Sequence, residues 1–598
     1  MLEQARQLLK TVFGFDSFRG QQEAAVAAAL AGEDCMVLMP TGGGKSLCYQ
    51  LPSMVRPGVG IIVSPLIALM HDQISGLEQL GVEAACLNST LNADERKDVT
   101  RRLHAGTLQL LYIAPERLLM PGTLQFLEQF PVSIIAIDEA HCVSQWGHDF
   151  RKDYLGLHVL KDHFPGTPVM ALTATADGRT RNEIVERLAL RNPQRLIEGF
   201  DRPNIRYTVT IKLDAKKQLL AFLAPRKGEC GIVYCLSRRK VEATADLLVR
   251  QGHDALPYHA GLPAEVRSRN QRRFLREDGV IIVATIAFGM GIDKPDVRFV
   301  VHMDLPRSIE AYYQETGRAG RDGEPAEAHM VYGLQDVVQL GRMVDESGLS
   351  DRMKVVERQK LNALLGWCEI TTCRRQALLA HFEDSLDEPC GNCDICLNPP
   401  VTWDGTEAAQ KMLSCVYRTG QRFGTGHVID VLVGKDTEKT LNNGHQQLST
   451  FGIGQDRSRT QWQSIARQLL VQEFLYSDPE RYGALTLTPR SGPLLRDELR
   501  LQLREDPVKP ARAKRSGGAR EVQMSEELLP IWNALRACRK RLAEEKGVPP
   551  YVIFHDRTLH DLMAQRPASV SELLLVDGIG QVKADRYGEI FLEVLRSA

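Results

Sequence analysis

Long apolar runs are missing from this chain of 598 residues. No stretch of ~18 or more such residues occurs, which argues against a membrane-spanning helix. The opening residues, Met-Leu-Glu-Gln-Ala-Arg-Gln-Leu-Leu-Lys, read as an amphipathic helix and lack the apolar core and cleavage site of a secretory leader. The expected compartment is the cytosol. An excess of one charge is also lacking: 74 Lys and Arg against 75 Asp and Glu leave a net charge of −1. Bulk electrostatics therefore gives no sign of a polyanion binder, and any nucleic-acid surface has to be a local concentration of cations. A disulfide framework is not expected. The 13 cysteines are odd in number, and Cys35, Cys86, Cys230 and Cys235 lie in apolar stretches as small reduced hydrophobes.

What is present is an ordinary globular composition, 43% hydrophobic and 25% charged, over a length that predicts roughly three to five domains. From residue 138 the chain reads Asp-Glu-Ala-His-Cys-Val-Ser-Gln-Trp-Gly-His-Asp-Phe-Arg. The run Ile134-Ile135-Ala136-Ile137 before it predicts a buried strand, so Asp138 and Glu139 fall at a strand end, where α/β sheets keep their chemistry. Carboxylates of this kind handle Mg²⁺ and water. Trp146 and Phe150, interleaved with His148 and Arg151, have the chemistry to stack on bases and grip phosphates.

Upstream, the strand-like run Cys35-Met36-Val37-Leu38 leads into Met39-Pro40-Thr41-Gly42-Gly43-Gly44-Lys45-Ser46. Glycines let backbone N–H groups face a phosphate, the lysine reaches the β/γ-phosphates, and the serine hydroxyl can ligate Mg²⁺. Met39 stands where the strict P-loop pattern has its first glycine. With Asp138 holding Mg²⁺ and Glu139 as general base for the attacking water, the two segments make an NTPase centre. Solvated turn carboxylates would be the plain alternative. Val63-Ser64-Pro65-Leu66, Ala114-Pro115-Glu116-Arg117 and Leu172-Thr173-Ala174-Thr175-Ala176 recur in one αβ-alternating region, the pattern of a doubly wound parallel sheet.

A second alternating region begins near Gly231 and carries residues 314–323, Gln-Glu-Thr-Gly-Arg-Ala-Gly-Arg-Asp-Gly. Arg318 and Arg321, three apart on a segment that reads as helical, would share one face and clamp a γ-phosphate from a second lobe. Further on, Cys390, Cys393 and Cys396 form C-x₂-C-x₂-C. A tetrahedral Zn²⁺ wants a fourth soft ligand, for which Cys373 and Cys368 compete, and an iron–sulfur cluster is the rival occupant. Residues 404–503 alternate short helices with a strand pair, a small α+β domain in which Trp462, Ile465, Leu469 and Leu470 make an apolar helical stripe. A Pro/Gly-rich basic stretch follows as a flexible linker, and a helical C-terminal domain closes the chain.

The ordered set of motifs resembles superfamily 2 helicases. Within them, residues 13–22, Phe-Gly-Phe-Asp-Ser-Phe-Arg-Gly-Gln-Gln, and the segment 138–151 are similar to the RecQ family of ATP-dependent DNA helicases over essentially the whole chain. Met39 is usual in that family. The resemblance implies two RecA-like lobes (1–205 and 206–340), a zinc-binding segment (341–403), a winged helix (404–504), a linker (505–524) and an HRDC domain (525–598). It places Gln22 on the adenine edge, Phe15 on its face and Arg19 nearby, with Thr41, Gly42, Gly43, Gly44, Lys45, Ser46 and Gln314 also at the nucleotide. It favours Zn²⁺ and selects Cys373 as fourth ligand. Tyr551 matches the family's exposed aromatic for single strands, against the bland reading of a tyrosine in a helix-entry turn.

ATP, Mg²⁺ and Zn²⁺ are thus the expected cofactors. Single- and double-stranded DNA, forks and branched junctions are the expected substrates. Single-stranded DNA-binding protein is an expected partner, with the protein acting as a nucleoid-associated monomer. The implied reaction is 3′→5′ unwinding driven by ATP hydrolysis. An RNA helicase sharing this motor core, or a DNA-binding regulator with a degenerate nucleotide switch, are the competing readings.

Overall fold

The structure, a computed structural model, describes residues 1–88, 91–144, 151–289, 292, 294–478, 481, 483–505 and 528–597. Its first lobe is a seven-stranded parallel sheet built from β1 (Cys35–Leu38), β2 (Val59–Val63), β3 (Ala84–Leu87), β4 (Leu110–Ile113), β5 (Val132–Ile137), β6 (Val169–Thr173) and β7 (Gln194–Ile197). The order is β3-β4-β2-β5-β6-β1-β7. Strands β1 to β6 are near-continuous apolar runs because helices cover both faces. Only the edge strand β7 is exposed, and its sequence, Gln-Arg-Leu-Ile, is correspondingly mixed.

The second lobe is a six-stranded sheet of β8 (Ile205–Ile211), β9 (Gly231–Tyr234), β10 (Ala255–Tyr258), β11 (Ile281–Ala284), β12 (Phe299–His302) and β13 (Ala326–Tyr332). Its order is β10-β11-β9-β12-β13-β8, again parallel throughout. The phosphate loop, the acidic pair and the small-residue turns of the first lobe leave the carboxyl ends of its strands. That is where an open α/β sheet leaves a crevice and where helix N-termini can meet an anion. The doubly wound architecture read from strand-like runs and small-residue turns is the one observed.

After β13 the chain turns helical, and the helix Asp351–Glu369 leads into the cysteine segment. Trp462 (fully buried), Ile465 and Leu469 then anchor the helix Arg459–Val471 in a separate core, with Leu470 at its margin. The Trp462 indole donates to Gly454 O at 2.7 Å, so its polar end is satisfied inside that core. Strands Leu475–Asp478 and Ala484–Leu487 pair antiparallel beside it, and the ribbon Thr402–Asp404 with Gln502–Arg504 closes the domain. Beyond Glu505 the linker stretch lies outside the described residues. The C-terminal unit is all helical, from Leu529–Lys546 to Gln581–Ser597, around a core that includes Leu535, Phe554 and Phe591. No helix among the described residues is long and apolar enough to cross a membrane.

A nucleotide cleft between two lobes and a four-cysteine centre

The turn after β1 bends through Gly42 (φ 86°) and Gly44 (φ 78°), a region that L side chains rarely enter, and delivers Lys45 into the first turn of the helix Lys45–Val55. Met39, the residue that breaks the strict motif, is fully buried in the core beneath this turn, its sulfur 3.9 Å from Cys48 Sγ. Gln22 is itself buried, accepts from the Arg19 N–H at 2.9 Å, and donates to Gly43 O (3.1 Å) and Gly44 O (3.2 Å). The residue expected to read adenine therefore also holds the P-loop in shape. Lys45 Nζ donates to Met39 O (3.0 Å) and Pro40 O (3.2 Å). The Arg19 guanidinium lies over the Phe15 ring, 5.5 Å from its centre.

Asp138 extends β5 by one residue, its N–H on Val63 O at 2.9 Å, and its carboxylate accepts the Glu139 N–H at 2.9 Å. The Tyr154 hydroxyl donates to Asp138 O at 2.8 Å; complete burial pushes that phenol well up, so it stays a donor. Glu139 takes φ 49° and ψ 44°, a left-handed conformation that costs a non-glycine residue on the order of 1–3 kcal/mol and is typical of functional turns. Behind it, His141 Nδ1 stands 3.4 Å from Glu139 Oε2 and 2.8 Å from Thr173 Oγ1. Thr173 Oγ1 accepts the Thr175 N–H at 3.3 Å, and Gln314 of the second lobe donates to Thr175 Oγ1 at 3.0 Å. A polar chain thus runs from the acidic pair across the lobe boundary.

The arginine segment differs from expectation. The helix Ile309–Thr316 stops two residues before Arg318, so Arg318 and Arg321 lie on the turns that follow and not on a helix face. Carbonyls a continuing helix would use are taken instead: Arg202 donates to Gly317 O (3.1 Å), Ala319 O (2.8 Å) and Gly320 O (2.9 Å), and Asn204 to Gly320 O (2.8 Å). Arg202 also donates to Thr41 O of the P-loop at 2.7 Å. This buried guanidinium, on the connection between the two sheets, holds the phosphate loop of one lobe to the arginine segment of the other. Sequence reading missed it, because Asp-Arg-Pro-Asn after β7 looks like linker. The available signal was a cation amid turn residues at the joint of two αβ regions.

One cleft of about 440 Å³ collects these groups. Phe15, Arg19, Gln22, Thr41, Gly42, Gly43, Gly44, Lys45, Ser46, Asp138, Glu139, Gln314, Arg318 and Arg321 all line it. Chemically it can bind a nucleoside triphosphate: backbone N–H groups and a helix start for the phosphates, and three cations against charge on the transferring group. Ser46 and Asp138 supply the hard oxygens that could hold Mg²⁺. Glu139 could take the proton of an attacking water. Tyr551, expected to meet single strands, lines this same cleft. Arg151 donates to Pro65 O at 3.1 Å, fixing the turn after β2. Trp146, His148 and Phe150 lie outside the described residues.

Among the described residues, one cluster has the chemistry of a metal centre. The sulfurs of Cys373, Cys390, Cys393 and Cys396 all lie within 4.8 Å of one another, with Cys390 and Cys396 at 3.9 Å. Tetrahedral Zn–S bonds of about 2.3 Å put sulfurs about 3.8 Å apart, so the set fits Zn²⁺. N–H groups of Cys390, Asn392 and Cys396 donate to Cys373, Cys390 and Cys393 sulfurs at 3.3–3.4 Å, which suits thiolates. Cys368, the rival fourth ligand, is buried apart from the cluster.

Comparison with known proteins bears on all of this. Residues 19–184 match the DEAD/DEAH box helicase family and residues 212–323 the helicase conserved C-terminal domain. Residues 334–397 match the RecQ zinc-binding family, 399–512 the RQC domain and 529–595 the HRDC domain. The chain is 44% identical to the ATP-dependent DNA helicase RecQ of Pasteurella multocida, over 99% of this chain and 93% of that one. It is 44% identical to that of Haemophilus influenzae (99% and 96%) and 36% identical to that of Bacillus subtilis (100% and 99%). Paired RecA-like sheets with a phosphate loop on one and arginines on the other define an ATP-hydrolysing helicase core. The chain belongs to the RecQ family of ATP-dependent DNA helicases. Its cysteine centre is accordingly a Zn²⁺ site, and ATP with Mg²⁺ are its cofactors.

Three outcomes follow from this geometry. Glu139→Gln should keep nucleotide binding while ATP turnover falls about 10²–10⁴-fold, the usual contribution of a general base, as read by paired binding and steady-state assays. Arg202→Ala should cut turnover about tenfold or more, since four carbonyls lose a charged donor worth about 1.5–3 kcal/mol each before relaxation; Arg202→Lys should not restore it, because a point charge cannot span four acceptors. Cys393→Ser should abolish bound zinc, measured as metal per chain. It should also open residues 373–397 to protease, because metal binding free energy is folding free energy here, on the order of 10 kcal/mol in small zinc modules.

Proposed function

We propose that this helicase translocates 3′→5′ on single-stranded DNA and separates duplexes, forks and branched junctions in recombination, repair and replication-fork processing. The observation that carries the motor is the single cleft in which Lys45, Asp138 and Glu139 face Gln314, Arg318 and Arg321 from the opposite sheet. Lys45 and Ser46 hold the phosphates, Glu139 activates water, and the two arginines stabilise charge on the transferring group. ATP draws the lobes together through these groups. Hydrolysis removes the γ-phosphate they share, and the lobes part by a step.

Trp146, His148, Phe150 and Arg151 are the DNA contact that reports to this site. Arg151 supports the coupling: its backbone N–H bonds Cys142 O at 2.9 Å, in the turn that follows the acidic pair. The protein works as a cytoplasmic monomer on nucleoid DNA, with single-stranded DNA-binding protein docking on the winged-helix region. Comparing ATPase stimulation by DNA and RNA oligonucleotides separates this reading from an RNA helicase.

Duplexes carrying a 3′ tail should be unwound with ATP and Mg²⁺ while 5′-tailed ones are not; the reverse preference would sink the polarity. Trp146→Ala should bind ATP normally yet lose most DNA stimulation, and normal stimulated turnover in that variant would remove the aromatic segment from the coupling.

A further inference from the structure

The helical C-terminal domain is docked on the motor, and its contacts converge on the rim of the nucleotide cleft. Backbone meets backbone at residues 12–14 and 578–580. The Gly578 N–H donates to Gly14 O at 3.0 Å, and a Cβ on Gly14 would fall 2.5 Å from Gly580 N. Arg19, within the segment 13–22, pairs with Asp577 at 3.4 Å. The Arg586 guanidinium and the Tyr587 hydroxyl each donate to Gln79 at 2.8 Å, on the helix Ile67–Gln79. On the other side Arg536 pairs with Asp278 of the second lobe at 2.6 Å. Both lobes are held.

This docking puts Tyr551, Val552, His555 and Lys583 in the wall of the cleft that contains the P-loop. Lys583 is unlike the other cations there. It sits one helical turn beyond the Gly580 contact, and among the described residues it has neither a hydrogen bond nor an ion pair. Its ammonium lies over the Phe554 ring, 5.8 Å from the ring centre. Partial burial pulls its ammonium down to about 8, with no neighbouring charge to offset the effect. An ammonium partly withdrawn from water and without an anion is stabilised when a ligand brings the anion. In a cleft for ATP, the anion is the triphosphate.

We propose that Lys583 is a nucleotide-binding residue, delivered to the triphosphate of ATP by the docked C-terminal domain, so that the ATP site is built from three domains. The proposal rests on reading the cleft as the ATP site. A domain that resembles a DNA-binding appendage thereby contributes to nucleotide affinity, and undocking it weakens ATP binding without touching either lobe.

Full-length protein with saturating single-stranded DNA provides the test, by ATP titration of turnover and by equilibrium binding of a fluorescent ATP analogue. Lys583→Ala and Lys583→Gln should raise KM and the dissociation constant about tenfold, as for one lost charge-assisted contact, with kcat within twofold. Lys583→Arg should recover most of the loss. Arg536→Asp should weaken binding similarly by undocking the domain, and adding Asp278→Arg should restore it, which separates a lost ligand from a damaged fold. A KM within threefold of the parent in Lys583→Ala, or one that falls on undocking, overturns the proposal. Lys45→Ala keeps the two failures distinct: if turnover survives it, the cleft is not the ATP site. If turnover is lost while Lys583 variants behave as parent, only the role of Lys583 is wrong.

Discussion

The grip of Arg202 on four backbone carbonyls is the interaction on which the motor geometry depends. Phosphate chemistry here needs groups from two sheets that share no strand. Their relative position must therefore be set by something that crosses the gap. Gln314 crosses it through one neutral hydrogen bond to Thr175, and at Gly42 the P-loop backbone runs close enough to Arg321 that an added Cβ would fall 3.6 Å from its Cα. Arg202 crosses it with charge-assisted bonds to Thr41 on one side and to residues 317–320 on the other. A buried guanidinium pays for desolvation only when its fork is filled, and these carbonyls fill it.

The connection that carries Arg202 is in turn held by the zinc segment. Arg375, two residues after Cys373, donates to Pro203 O (3.2 Å) and Ile205 O (2.6 Å). Asp384 accepts the Phe200 N–H at 2.7 Å, and Phe382 stacks on Phe200 with ring centres 4.7 Å apart. Asp394, between two of the cysteines, accepts the Val209 N–H on β8 at 3.0 Å. The metal is distant from the cleft in sequence, yet it orders the residues that clamp residues 200–209. Any loss of turnover on removing zinc would be transmitted through the joint between lobes.

How much of this could be read from sequence follows from where each signal resides. Strands buried on both faces announce themselves as apolar runs, and the turns at their carboxyl ends carry residue types that phosphate and water chemistry demand. Lys45, Asp138 and Glu139 were therefore visible, and so was the doubly wound fold; three of the cysteines showed by their spacing, while Cys373 was selected over Cys368 only by family resemblance. Arg318 and Arg321 were visible as residues but placed on a helix, because the capture of the 317–320 carbonyls by Arg202 and Asn204 is a contact between distant segments. Arg202 itself has no local pattern. The docking of residues 578–580 on residues 12–14 is less legible still, since two glycines more than five hundred residues apart become meaningful only where backbones touch. For the same reason Tyr551 looked like a surface aromatic and lies in the nucleotide cleft.

A last constraint links the motor to the winged-helix region. Glu369, buried at the end of the helix Asp351–Glu369, accepts from Tyr332 at the end of β13, from Arg467 in the winged-helix core helix, and from Arg504 at 2.8 Å. Burying three charges is a poor way to gain stability, since well-packed apolar residues of similar volume often do as well or better. Removing one partner is different, because it strands an uncompensated charge at a cost of about 3–5 kcal/mol. The hypothesis this supports is one of register. An apolar contact between domains tolerates small slides, whereas donors from three elements converging on one carboxylate are satisfied together in a single arrangement. Motion of the second lobe would then be carried to the winged-helix region as rotation of one body, and would not be lost as slip at the boundary.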